Sequence, residues 1–177
     1  MGSEPVAGRT VWVLRHAKAG PHGPDDHGRP LTGKGRRQSE EVERFLEEAS
    51  LGVALPELVL TSSAERARQT AELVRPALGP DVELVADHRL YQADPDDVVD
   101  VLRELPDEVR SVMVVGHNPT LHDLALELLG GADPAGRDRL EQGFPTGALA
   151  VVRLPAPSWA ELGPGTGDLV ELFTPGR

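Results

Sequence analysis

The amino-acid pattern predicts a single-domain, three-layer α/β/α protein with helices on both faces of a mostly parallel central sheet. Three observations predict it. Short apolar runs rich in β-branched residues alternate with amphipathic helical stretches, the order that builds parallel sheets covered on both sides. The length of 177 residues suits one substantial core and is too short for two sizeable domains. No internal repeat or low-complexity tract interrupts the alternation. One domain over residues 1–177 is therefore expected, with residues 1–9 as a flexible N-terminus.

The first strand is Thr10-Val11-Trp12-Val13-Leu14, which delivers Arg15 and His16 to a Gly/Pro/Asp-rich loop over 17–31. A helix follows from Thr32-Gly33-Lys34-Gly35 to about Ala49. Val42, Phe45, Leu46 and Ala49 recur there at three- and four-residue spacing, opposite a solvated acidic face. Leu58–Thr61 reads as a second strand. Ser62 with Glu65 fits a reciprocal cap for a helix running to about Leu78. A third strand, Val82–Val85, precedes Asp94-Pro95, an acidic cap with proline at the first helical position; that helix should run to about Leu105. Ser111–Val115 is the most apolar strand and ends in Gly116-His117. Asn118-Pro119 then caps a helix that stops near Gly130-Gly131. Ala148–Arg153 and Leu169–Phe173 complete the strands, joined by a Pro/Gly-rich loop around Trp159.

Composition narrows the function. A formal net charge of -11, without any long Lys/Arg run, opposes binding to nucleic acid or to an anionic membrane surface. A site for a phosphorylated ligand would have to be a local island of positive charge. The absence of cysteine excludes disulfides, thiolate metal sites and a cysteine nucleophile. The N-terminal residues lack a basic stretch followed by an apolar one, and no run of eighteen apolar residues occurs, so a soluble cytoplasmic protein is the expectation.

In open parallel sheets ligands gather beyond the carboxyl ends of the strands. His16, the turn from Ser62 to Arg66, Tyr91-Gln92 and His117 each follow a strand, so all could face one crevice. A guanidinium beside an imidazole suits phosphoryl chemistry: the planar fork of Arg15 can hold phosphoryl oxygens, and a neutral nitrogen of His16 can attack phosphorus. Arg66, in the first turn of a helix, sits where an oxyanion would meet backbone N–H groups as well. It reads equally well as a surface arginine paired with Glu65 or Glu72. His117, also at a helix start, can serve a phosphoryl group or simply satisfy turn backbone. His16 alone could be structural or a zinc ligand. A metal site would have to be drawn from His16, His22, His27, His117 and His122 with Asp25, Asp26 and Asp123, and these lack a close-spaced histidine-ligand motif. No metal is expected.

Four separated segments, in order, carry a family resemblance. They are Leu14-Arg15-His16-Ala17, then Arg29-Pro30-Leu31-Thr32-Gly33-Lys34-Gly35, then Ser62-Ser63-Ala64-Glu65-Arg66-Ala67-Arg68-Gln69-Thr70-Ala71, and Val115-Gly116-His117-Asn118-Pro119. Together they resemble the histidine phosphatase superfamily, whose fold is phosphoglycerate mutase-like, and most of all its small SixA-like phosphohistidine phosphatase branch. The resemblance covers residues 11 to about 125, and the last fifty residues add no motif. It implies His16 as the nucleophile that becomes phosphorylated, with Arg15, Arg66 and His117 binding the transferring phosphoryl group, and it implies neither metal nor organic cofactor. Asn118 and Arg29 are further candidates for substrate contact, and Lys18 lies on the same loop as Arg29.

The wider superfamily often places a carboxylic acid after the third core strand to protonate the leaving oxygen. This chain has Leu90-Tyr91-Gln92-Ala93-Asp94 there, so Asp94 is the candidate general acid as well as the candidate helix cap. A phosphoramidate needs less acid catalysis than an alkyl ester, which tilts the expectation toward phosphohistidine on a protein. Three readings remain: that cofactor-independent phosphatase, a small-molecule phosphomonoesterase or phosphomutase of the same superfamily, and a non-catalytic phosphate-binding module. The partner is a phosphorylated substrate in the first two, and the sequence leaves the oligomeric state open.

Overall fold

The computed structural model describes residues 8–176. Its strands are β1 (Arg9–Arg15), β2 (Leu58–Ser62), β3 (Glu83–Asp87), β4 (Ser111–Gly116), β5 (Leu149–Leu154) and β6 (Asp168–Phe173). The helices are α1 (Gly33–Glu48), α2 (Glu65–Val74), α3 (Pro95–Arg103), α4 (Thr120–Leu129) and α5 (Pro134–Glu141). One six-stranded sheet runs β3-β2-β4-β1-β5-β6. β1, β2, β3 and β4 pair in parallel, and β5 lies antiparallel to both β1 and β6. The predicted mostly parallel three-layer fold is therefore present.

Strand alternation divides the core into two layers. Val11 and Val13 of β1, with Val112 and Val114 of β4, face Leu102, Leu121, Leu124 and Leu140. Trp12 and Leu14, with Met113 and Val115, face Val42 and Leu46 of α1 and Ala67, Ala71 and Val74 of α2. All these side chains are nearly fully removed from water. Burying a Leu or Val side chain stabilises by about 1.5–3 kcal/mol, so the central strands anchor the fold. That rigidity is what lets loops beyond β1, β2 and β4 hold polar groups in place.

Several boundaries depart from the sequence reading, for identifiable reasons. The expected flexible segment 1–9 lies outside the described residues up to residue 7, but Arg9 belongs to β1. It is buried, donates to Asp107 Oδ1 at 3.2 Å and to the Pro157 carbonyl at 3.0 Å, and packs over the Trp159 ring. α2 ends at Val74 and tightens into a 3₁₀ turn over Arg75–Leu78, because Pro76 has no N–H to continue the α-helical ladder. The stretch between Gly131 and Ala148 contains α5, which the sequence reading passed over. Asp133 caps it through Gly136 N at 2.9 Å, with Pro134 at its first position, the same Asp-Pro signal that marks α3. Trp159 is fully buried, its indole N–H donating to the Val109 carbonyl. The connection around it therefore packs into the core.

Candidate active site

β1 and β4 are adjacent and parallel, with Arg15 opposite Gly116. The pairing continues one residue further, His16 N donating to the Gly116 carbonyl at 2.9 Å. Register alone thus brings His16 and His117 together at the carboxyl edge of the sheet, their ring centroids 5.1 Å apart. β2 lies on the other side of β4 and contributes Ser62 at its last position and Arg66 one turn later. Three loops from three neighbouring strands converge, as the parallel topology predicts.

His16 is about nine-tenths buried, and its Nδ1 lies 2.7 Å from the Ala17 carbonyl. A carbonyl can only accept, so Nδ1 carries the proton and Nε2 keeps its lone pair. Burial, aided by the positive charges of Arg66, Arg15 and Arg29, lowers the His16 pKa to about 4. The ring is neutral near pH 7 and has the electronic form a nucleophile needs.

Arg15 anchors one guanidinium nitrogen on the Phe144 carbonyl at 3.1 Å, and the Asn118 amide donates to the same oxygen at 2.8 Å. The C-terminal segment, silent in sequence, therefore positions two site residues through backbone. Arg66 is buried and does not pair with Glu65 or Glu72. Its guanidinium donates to the Asp26 carbonyl at 2.8 Å and to Asp26 Oδ2 at 3.3 Å. The Nε atoms of Arg15 and Arg66 and Nδ1 of His117 are buried without a protein partner. Buried donors normally have one, so these atoms are suited to receive an oxyanion.

Ser62 departs from its expected role. Ala64, not Ser62, occupies the cap position of α2, with no side-chain capping bond. The Ser62 hydroxyl is fully buried and lies 2.8 Å from His117 Nε2. Burial, with His16 and Arg66 nearby, lowers the His117 pKa to about 3. Asn118-Pro119 likewise does not cap α4 by a side chain: the helix begins at Thr120, and the Asn118 side chain points to Phe144 instead.

Asp26 entered the sequence reading only as a metal-ligand candidate, and the structure gives it a different place. Its carboxylate receives the Tyr91 hydroxyl at 2.7 Å, Arg29 Nε and a terminal Arg29 nitrogen at 3.0 and 2.8 Å, and Arg66. The Tyr91 hydrogen bond first, then Arg29 and Arg66, hold its pKa well below the ordinary carboxylate range. The other metal-ligand candidates have separate contacts: His22 approaches Asp26 at 4.0 Å, His27 meets the Ser63 hydroxyl at 2.9 Å, and His122 bonds the Leu140 carbonyl at 2.6 Å. Asp94 and Asp97 form a reciprocal capping box on α3, at 3.0 and 2.9 Å.

Arg15, Lys18, Arg29 and Arg66 line a cavity of about 370 Å³ together with His16, Asp26, His117, Asn118 and Thr146. This is the island of positive charge that the acidic composition required. Sequence reasoning placed Tyr91 and the turn beginning at Ser62 on this crevice without giving either a role, offered Asp26 only as a metal-ligand candidate, and missed Thr146. Tyr91 is the chain's one tyrosine and follows a strand, and Asp26 precedes Arg29 by three residues; those were the available signals. Thr146 had none.

The model of the histidine phosphatase superfamily, branch 1, matches residues 8–98. An uncharacterised protein of Mycobacterium tuberculosis is 38% identical over 165 residues, covering 92% of this chain and 99% of its own. Among solved structures, a SixA-type structure from Nakamurella multipartitia superposes with a TM-score of 0.80 at 30% identity, covering 96% of this chain and 98% of that one. The protein histidine phosphatase SixA complexed with tungstate superposes with a TM-score of 0.73 at 30% identity, covering 94% and 97%. The architecture is also that of a phosphoglycerate mutase.

Proposed function

The chain belongs to the histidine phosphatase superfamily and is a phosphatase, and from that premise we propose that it removes the phosphoryl group from phosphohistidine on a protein, through an adduct on His16. The observation that carries this reading is the bond from His16 Nδ1 to the Ala17 carbonyl, which reserves Nε2 for attack. Nε2 bonds to phosphorus, and the bond from phosphorus to the substrate's ring nitrogen breaks. The electron pair goes to that nitrogen. The other nitrogen of the leaving ring can already carry a proton, so it departs as neutral imidazole. Water then attacks the His16 adduct, releases inorganic phosphate and restores the ring, its surplus proton passing to solvent.

Arg15, Arg66 and His117 act as donors to the phosphoryl oxygens, whose charge they stabilise from fixed positions. Asn118 contributes beside them, and Arg29 supports the same charge from across Asp26. Two carboxylates near the site are unsuited to protonating an alkyl leaving oxygen. Asp26 is held ionised by Tyr91 and the arginines, and Asp94 is engaged in its capping box. That deficiency supports a phosphoramidate substrate, which needs no such acid. The bound tungstate of the related SixA, a tetrahedral oxyanion, is consistent with a phosphoryl site of this kind.

Trapping with a labelled phosphohistidine peptide tests the proposal, using wild type beside His16→Ala with chelator present. An acid-labile adduct on wild type alone, followed by phosphate release, is the expected result. Turnover of alkyl phosphates but not of the peptide would move the substrate to small phosphomonoesters. Transfer to a second acceptor would identify a mutase, and absence of adduct and turnover would leave a phosphate-binding module.

A further inference from the structure

A second cavity, of about 450 Å³, adjoins the first and shares Asp26, Arg66, His117 and Asn118 with it. The two differ in what lies beyond that shared wall. His16 lines the first cavity and not the second. Attacking and leaving atoms in phosphoryl transfer stand roughly in line on opposite sides of phosphorus. With the phosphoryl group held at the shared wall, the leaving group therefore projects away from His16, into the second cavity. Arg66, which lines both cavities, is more than nine-tenths buried and has its Nε unpartnered, so a charged side chain with a spare donor stands at the shared wall.

Charge in the second cavity has the opposite sign to that of the first. Beyond the shared wall, Asp94 and Asp123 are its charged members among the described residues, and Tyr91, Gln92 and Thr120 supply polar neutral groups. Lys18 and Arg29 belong to the first cavity alone. Tyr91 stands at the boundary, its hydroxyl on Asp26 and its ring 5.8 Å from that of His117. An anionic leaving group placed there would meet two carboxylates, whereas a cationic one would be attracted.

We propose that this second cavity is a leaving-group subsite that selects phosphoryl donors carrying positive charge next to the scissile bond, such as a phosphohistidine flanked by lysines, and that Asp94 and Asp123 set that preference. The inference rests on the phosphatase reading above. It excludes phosphorylated carboxylic acids as good substrates.

The test compares two phosphohistidine peptides identical except for flanking residues, lysines in one and glutamates in the other. At low ionic strength the lysine peptide should show about tenfold higher kcat/KM, falling to about threefold or less at 0.5 M salt as exposed charges are screened. Asp123→Asn combined with Asp94→Asn, the latter keeping a capping side chain, should bring the low-salt ratio below about threefold. A wild-type ratio within twofold of one, a preference for the glutamate peptide, or a ratio the two substitutions leave unmoved would overturn the subsite while the phosphatase reading stands. If neither peptide phosphorylates His16, the phosphohistidine reading fails and the subsite falls with it.

Discussion

The ends of β1 and β4 look alike: adjacent parallel strands, each followed at once by a histidine, one ring buried, the other half-buried, and both lowered in pKa. They differ in what holds the ring. His16 is tied through Nδ1 to a backbone carbonyl, and His117 through Nε2 to the Ser62 hydroxyl. The carbonyl admits one tautomer, with Nε2 free to attack. The hydroxyl can donate as well as accept, so it allows His117 to carry its proton on Nδ1, the atom without a protein partner. In the proposed mechanism two similar histidines are thereby specialised, one as nucleophile and one as donor, by the atoms that hold them.

Substitutions at the two ends should break this comparison unequally. His16→Ala should lower kcat by more than about 10⁴-fold and abolish the adduct, since the proposed mechanism places the adduct on His16. His117→Ala should cost about 10²–10³-fold in kcat, the range for one donor to developing charge, while His16 still becomes labelled. Quench-flow measurement of adduct formation separates the two; equal loss of labelling in both would erase the distinction. Ser62→Ala removes the partner of His117 while leaving the imidazole in place, and should cost about tenfold in kcat, close to the value of one buried hydrogen bond. KM should change little, and an unchanged kcat would show that Ser62 does not set the His117 tautomer.

The pH dependence sharpens what the two ends share. Both rings sit below the ordinary 6.5, at about 4 and about 3, so the unfolded chain binds more protons as pH drops below 6.5. Stability is therefore undiminished above that value, is lost progressively as pH falls from there toward the folded-state values, and levels off below them. Thermal unfolding between pH 7 and 5 should show a smaller loss in the double variant His16→Ala/His117→Ala than in wild type, by about 3 °C or more. Parallel curves would contradict the depressed values. The smallest effect belongs to Asp94→Asn: kcat on an alkyl phosphate should stay within about twofold of wild type, since asparagine also caps. A large loss there would make Asp94 the general acid.

Much of this was legible in the chain itself. Val11, Trp12, Val13 and Leu14 form an unbroken apolar run, which implies a strand covered on both faces, and the two core layers confirm it. Arg15, His16, Arg66 and His117 each follow a strand, and parallel pairing brings such positions to one edge. Ser62 misled because a serine three residues before a glutamate satisfies the capping pattern equally well, and only the partner across the sheet distinguishes the two uses. Asp26 misled because a loop acid carries no periodicity to announce that Arg66, forty residues on, will reach it.

The local order of apolar and polar residues determined by itself the element sequence apart from α5, the mostly parallel sheet and the four residues at its carboxyl edge. These depend on side-chain spacing and on strand pairing, both of which are written along the chain. Tertiary structure alone decided which nitrogen of each histidine is free, that the Phe144 carbonyl holds Arg15 and Asn118, and that a cationic cavity adjoins an acidic one. Backbone carbonyls are identical at every residue, and cavities are made by loops distant in sequence. Their chemistry appears only once the chain has brought them together.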